Sequence, residues 1–121
     1  MPITSRPRLS PAKAKKFARL GAVPYYIVAF SSQKSPRQQG YRQMSEKMFH
    51  LAMEEFGCLG VETARDARGF QITNSYWQSL ADIRRWKNDP RHQQAQALGK
   101  TRWYDHYEIR IGKITRAYPL S

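Results

Sequence analysis

The chain has 121 residues, with 21 Lys and Arg against 9 Asp and Glu, and a single cysteine. That length supports one domain with a modest core. One cysteine excludes an intrachain disulfide and a cysteine-rich zinc site, and no apolar run nears the ~18 residues of a membrane span.

The net charge of +12 is unevenly placed. Residues 1–24 carry Arg6, Arg8, Lys13, Lys15, Lys16 and Arg19 and no acid, so one fifth of the chain holds half of the basic excess. This reads as a basic N-terminal extension over 1–24, joined to a domain over 25–121. The extension contains Pro2, Pro7 and Pro11 and a short basic helix over Pro11–Leu20. It lacks the apolar stretch of a secretory signal. Two uses are open to it: a solubilising tail, or contact with nucleic acid or another polyanion, the less favoured of the two.

After Gly21 and Pro24, YYIVAF has strand length and composition. SSQKSPRQQG is a turn-rich break. From about Gln38 to Glu55, Tyr41, Met44, Met48 and Leu51 recur at helical spacing, with Phe49, Ala52 and Phe56 widening the stripe and Gly57 stopping it. CLGVETAR and FQITNSYW alternate as two strands around a tight loop containing Asp66 and Gly69, which predicts an antiparallel pair. Cys58 reads as a small buried strand residue and suits a reducing, cytoplasmic setting. In FQITNSYW, Phe70, Ile72, Asn74 and Tyr76 share one face, and Gln71, Thr73, Ser75 and Trp77 the other.

Ser79 caps a predicted helix over Leu80–Trp86, with Asp82 at its positive end. Asp89 and Pro90 restart a helix that runs to Leu98, with Gly99 as its stop. HYEIRIGKITRAY is the last strand, with Gly112 a candidate bulge. The order β, α, β, β, broken α, β is the split βαβ, ferredoxin-like arrangement: an α+β fold with a four-stranded antiparallel sheet and helices on one face. Both faces of the third strand carry large residues, so the face without helices needs a cover, and a second copy of the chain would supply it.

All three tryptophans (Trp77, Trp86 and Trp103) lie within a single stretch, together with His92 and His106. Such a concentration either fills one core or walls one pocket. His92 has the intrinsic pKa of a general base and shares a helix face with Gln96. Equally, it is a common helix-start residue. His50, His92 and His106 are scattered, without metal-ligand spacing, so no metal is expected.

One stretch, SYWQSLADIRRWKNDPRHQQAQALGKTRWYDHYEIRI, combines a strand ending in Trp, a W-x-x-D-P-x-H segment and a strand leading to ITRAY. In these features the chain resembles the antibiotic biosynthesis monooxygenase superfamily over about Tyr25–Tyr118. The resemblance implies a homodimeric α+β barrel with a pocket between sheet and helices, and cofactor-independent oxygenation of a small aromatic, polyphenolic or quinone-like compound. Haem-degrading members pair an Asn on the first strand with a Trp and a His ten residues beyond it. Here Trp86 matches, but Gln96 stands where the iron ligand would be and YYIVAFSS has no Asn. Anthrone-type oxygenases carry Asn and Trp four residues apart on the third strand. Trp77 matches, but the position holds Thr73 and Asn74 is offset by one. On this reading the catalytic residues are His92 and Trp77. Tyr26, Asn74, Tyr76, Trp86 and Gln96 line the substrate pocket, and neither cofactor nor metal takes part. The competing reading is a non-enzymatic module that binds a ligand or polyanion through the basic arm and Arg84, Arg85, Lys87 and Arg91.

Overall fold

The structure, a computed structural model, describes residues 16–120. Its elements are β1 (Tyr25–Lys34), α1 (Tyr41–Glu55), β2 (Cys58–Arg65), β3 (Phe70–Trp77), α2 (Leu80–Asn88), α3 (Pro90–Leu98), a π-type turn (Gly99–Trp103) and β4 (Tyr104–Ile114). The four strands form one antiparallel sheet in the order β2-β3-β1-β4, as the α+β ferredoxin-like reading requires.

Local chemistry accounts for the boundaries. Gly40, at φ +81°, holds back the start of α1 to Tyr41, three residues later than the side-chain spacing suggests. The β2–β3 loop closes on Asp66, whose Oδ1 accepts from Arg68 N–H at 2.8 Å and Phe70 N–H at 3.0 Å. Ser79 caps α2 by accepting from Asp82 N–H, and α2 runs two residues past Trp86. Asp89 caps α3 by accepting from Arg91 N–H, with Pro90 in the first turn.

Three expectations need correction. Gly99 does not stop the chain in a left-handed cap; it is right-handed helical, and the backbone widens into the turn that carries Trp103 to the sheet. Gly112 is no bulge, since it pairs in register with Ile27. The bulge falls instead at Gln33/Lys34, opposite His106 and Tyr104, where Asp105 is the extra residue. Half of the basic helix expected over 11–20, residues 11–15, lies outside the described residues. Within them the helix ends at Lys16, and residues 18–20 are not helical. There Ala18 N–H donates to Glu62 Oε2 at 3.1 Å, and Ala18 and Leu20 lie over Gly60, where a Cβ would meet Ala18 at 2.9 Å.

The register assigns every strand residue to a face. Tyr26, Val28, Phe30 and Ser32 of β1 lie beside Trp77, Ser75, Thr73 and Gln71 of β3 on the helix-covered face. On that face Trp77 is 1% exposed and packs with Ala52 of α1, Ile83 of α2 and Cys58. Tyr26, Val28, Phe56, Val61 and Trp86 surround this cluster. Trp103 is also buried, donating its Nε1–H to Gln39 O at 3.0 Å and meeting Tyr41 edge-on. Two of the three tryptophans are therefore core.

Burial this complete makes Trp77 the costliest single truncation. Trp77→Ala is expected to destabilise by about 3–5 kcal/mol, and Trp77→Phe by less than half as much. Urea unfolding would show a lower midpoint at unchanged slope; a stability loss under about 1 kcal/mol in Trp77→Ala would contradict this account of the core.

Candidate functional site

The Trp–His pair at the α2–α3 junction is built by the break between those helices. At the end of α2 the Trp86 carbonyl has no helical partner of its own. It receives Asp89 N–H at 3.2 Å and lies 3.0 Å from His92 Nδ1. The cap at Asp89 and Pro90 turns the chain back so that the His92 ring stacks on the Trp86 indole, with centroids 4.0 Å apart and planes 13° from parallel. Trp86 in turn leans on Trp77 at 6.4 Å and Phe56 at 5.2 Å. The imidazole is thus one end of an aromatic stack rooted in the core.

Gln96, one turn beyond His92, has its amide nitrogen 3.0 Å from His92 Nδ1 and 3.3 Å from the Lys87 carbonyl. Nδ1 cannot donate to one neighbour and accept from the other at once. The Trp86 carbonyl only accepts and the Gln96 amide nitrogen only donates, so the two contacts belong to opposite tautomers of the ring. With the hydrogen on Nδ1, His92 donates to Trp86 O and Nε2 keeps the lone pair; with it on Nε2, Nδ1 accepts from Gln96. Half-burial pushes the His92 pKa below its ordinary value; the Trp86 carbonyl and the Asp89 carboxylate oppose that shift without reversing it. Burial thus favours the neutral form of the ring.

The predicted site residues do not all meet. Trp86, His92, Gln96 and the half-buried Tyr26 belong to the helix-covered face or the helices over it. Trp77 is on that face too, but its indole is sealed and its Nε1–H is spent on Ser75 Oγ at 2.9 Å, so it supports the site and does not touch a substrate. Asn74 and Tyr76 are the corrections. They point to the opposite face, because strand side chains alternate and Trp77 fixes the phase. Tyr76 donates to Glu62 Oε1 at 2.5 Å and meets Tyr25 edge-on at 5.9 Å. Burial and the Glu62 carboxylate both hold its phenol protonated, above the ordinary tyrosine range.

Next to this cluster the helix-covered face is incompletely roofed. Ile109 and Ile111, beside Phe30 and Val28, are each 53% exposed. A groove of about 500 Å³ adjoins the pair at the α2–α3 junction, lined by Phe56, Ala81, Arg84, Arg85, Asn88 and Asp89; it shares Phe56 and Asp89 with the Trp86–His92 cluster but contains none of the predicted catalytic residues. Two of the four basic residues expected on this surface are already engaged. Arg85 pairs with Asp82 at 3.2 Å, and Arg91 with Glu55 at 2.7 Å and Asp89 at 3.0 Å. Cys58 is buried, and burial raises its thiol pKa, so it is no nucleophile. Among the described residues no group of His, Cys, Asp and Glu is arranged to hold a metal, and no helix is long and apolar enough to cross a membrane.

The stacking partner Phe56 and the positioning role of Asp89 were missed in the sequence, where one is a helix-stripe residue and the other a cap. The only available signal was the W-x-x-D-P-x-H spacing itself.

No protein-family profile matches the sequence. The chain is 44% identical over 93 residues to YqjZ, an uncharacterised protein of Bacillus subtilis strain 168; the match covers 77% of this chain and 82% of that one. In three dimensions it is similar to an antibiotic biosynthesis monooxygenase, with a TM-score of 0.62–0.63 to two such structures. The first has a TM-score of 0.63 at 12% identity and covers 78% of this chain and 99% of the other. The second, a Deinococcus radiodurans protein proposed to be such a monooxygenase, has a TM-score of 0.62 at 19% identity, over 80% and 98%. A conserved protein of Methanosarcina mazei Go1 has a TM-score of 0.64 at 13% identity, over 74% and 91%. The chain therefore belongs to the family of YqjZ and has the fold of the antibiotic biosynthesis monooxygenase superfamily.

Proposed function

We propose that this protein is a homodimeric, cofactor-independent monooxygenase of the antibiotic-biosynthesis type, acting on a small aromatic, polyphenolic or quinone-like compound. The observation carrying the proposal is the His92 imidazole, stacked 4.0 Å from Trp86 with Nδ1 3.0 Å from the Trp86 carbonyl and its pKa lowered by burial; in the tautomer that donates to that carbonyl, Nε2 is the base. In this reaction Nε2 takes an acidic C–H proton from a phenol-stabilised carbon. The resulting carbanion adds dioxygen, and the peroxide collapses to a carbonyl and water. The chain supplies the base and a hydrogen-bonding amide in Gln96. Trp77 is removed from the catalytic set and Asn74 and Tyr76 from the pocket. The polyanion-binding alternative gains nothing from Arg85 and Arg91, whose charges are already paired.

The proposed dimer forms through the sheet face without helices, where Phe70 is 44% and Ile72 42% exposed. Light scattering at micromolar concentration is expected to give twice the chain mass. A monomer would remove the barrel from the proposal.

His92→Ala is expected to lower turnover of a quinol and anthrone panel by about 10²–10⁴-fold, while thermal unfolding stays cooperative. Equal turnover by the variant would overturn the role of His92.

The depressed pKa also has a sign in stability. The folded state binds the His92 proton less readily than the unfolded chain, whose histidine titrates near 6.5. This contribution is complete above pH 6.5 and is lost as the pH falls through the lower, folded-state value. NMR titration is expected to place His92 below 6.5, and His92→Gln to flatten that part of the stability profile. A His92 pKa of 7 or more would contradict the burial argument.

A further inference from the structure

At the other end of the sheet, the structure contains a second cavity that the proposed reaction does not use. It measures about 360 Å³ and is lined by Lys34 at the end of β1, Arg65 at the end of β2, Gln71 of β3, and Tyr41, Arg42, Ser45 and Glu46 of α1. Lys34 is eight residues along β1 from Tyr26, roughly 27 Å at ~3.4 Å per residue, so this cavity is separate from the His92 site.

Its charge is one-sided. Three cations face one carboxylate, and that carboxylate, Glu46, is shared with Arg42 at 3.5 Å on the exposed surface of α1. Lys34 and Arg65 have no carboxylate within ion-pair distance among the described residues. Lys34 is the more telling of the two. It is half-buried, and its ammonium rests 4.3 Å from the centroid of the Tyr41 ring. A cation–π contact compensates only part of the hydration an ammonium gives up on burial. The β-bulge at Gln33/Lys34 lies at this position, and Lys34 N–H is held by Gly69 O at 2.9 Å, so the backbone is pinned where the side chain enters the cavity.

A polar demand accompanies the charge. Gln71 donates its amide nitrogen to Thr63 Oγ1 at 3.0 Å and Thr73 Oγ1 at 3.3 Å, leaving its buried Oε1 without a partner. The two threonine hydroxyls, 3.0 Å apart, serve the amide in either orientation, because each both donates and accepts. Turned over, Gln71 would accept from the threonines and keep its N–H₂ for a ligand. Ser45 adds a hydroxyl to the lining.

We propose that this cavity binds the oxyanion head, a carboxylate or a phosphate, of a small molecule held by Lys34 and Arg65, with Gln71 and Ser45 as neutral hydrogen-bond partners. Its volume is at the lower end of small-ligand sites, which suits a single head group with a short body and does not suit a polymer.

The test uses the full chain, ¹⁵N-labelled, with benzoate, phenyl phosphate and inorganic phosphate as separate probes and benzyl alcohol as the uncharged control. Saturable shifts are expected at Lys34, Ser45, Arg65 and Gln71 for at least one anion, and none for the alcohol. Benzoate binding alone identifies a carboxylate site; binding of either phosphate identifies a phosphoryl site. Lys34→Met keeps the stem against Tyr41, and it and Arg65→Gln should each weaken binding roughly tenfold or more with unchanged melting temperature. Arg84→Gln, in the other groove, should leave binding as it was. Non-saturable shifts spread over all basic residues would overturn the proposal. So would equal affinity in Lys34→Met, or preference for an oligonucleotide with a steep salt dependence. Turnover by His92 does not enter any of these readings.

Discussion

The burial of Trp77 is the constraint from which the rest of this molecule follows. A side chain that large at the end of β3 cannot be left in water, and only the helix-covered face accepts it. Its position sets the phase of β3, and through the antiparallel register it sets the facing of all four strands. It also fixes the height at which α2 crosses the sheet, because Ile83 and Trp86 must both meet the same indole. The apolar contact of a strand thereby becomes the reference point for two helices.

What the fold adds to that core is a hydrogen-bonding problem and its solution. α2 closes with the Trp86 carbonyl accepting from its cap residue, Asp89 N–H, and the Asp89–Pro90 break places a new helix start beside it. His92 brings Nδ1 to 3.0 Å from the same carbonyl, and the indole beneath supplies the plane for the ring. Neither contact requires a substrate, so the imidazole is positioned before any ligand arrives. Such pre-organisation is what a base needs, since alignment then costs nothing at the moment of proton transfer.

Most of the scaffold was legible because its signals are local. Period-two alternation located β2 and β3, helical spacing located α1, and Asp89-Pro90 located the start of α3. What eluded sequence reading is non-local or depends on a side chain's direction. The bulge at Lys34 comes from the mismatch between β1 and β4, which neither strand reveals alone. Gly99 looked like a stop, yet Trp103 must reach its buried place against Gln39 and Tyr41, and the backbone widens to deliver it. Side-chain type marks Asn74 and Tyr76 as pocket candidates, but the pleat sets both on the face opposite Trp77. Cavities were invisible altogether, since the lining at Lys34 draws on four elements distant in sequence.

The placement of charge gives the two ends of the helix-covered face different chemistry. Around His92 the surfaces are aromatic, and nearby charges cancel in short pairs, Arg91 with Glu55 and Asp89, and Arg85 with Asp82. There burial favours the neutral imidazole. Around Lys34 the balance is reversed: cations exceed carboxylates, and the helix-covered face carries buried Ser32, half-buried Gln71 and Thr73, and exposed Thr63. Buried polar atoms are expensive unless satisfied, and Ser32 Oγ and Gln71 Oε1 have no protein partner. The apolar end is explained by folding alone, because Trp77 has to be buried somewhere. The polar end is not, and unrewarded polarity beneath a helix is more simply understood as a place shaped for something else to bind.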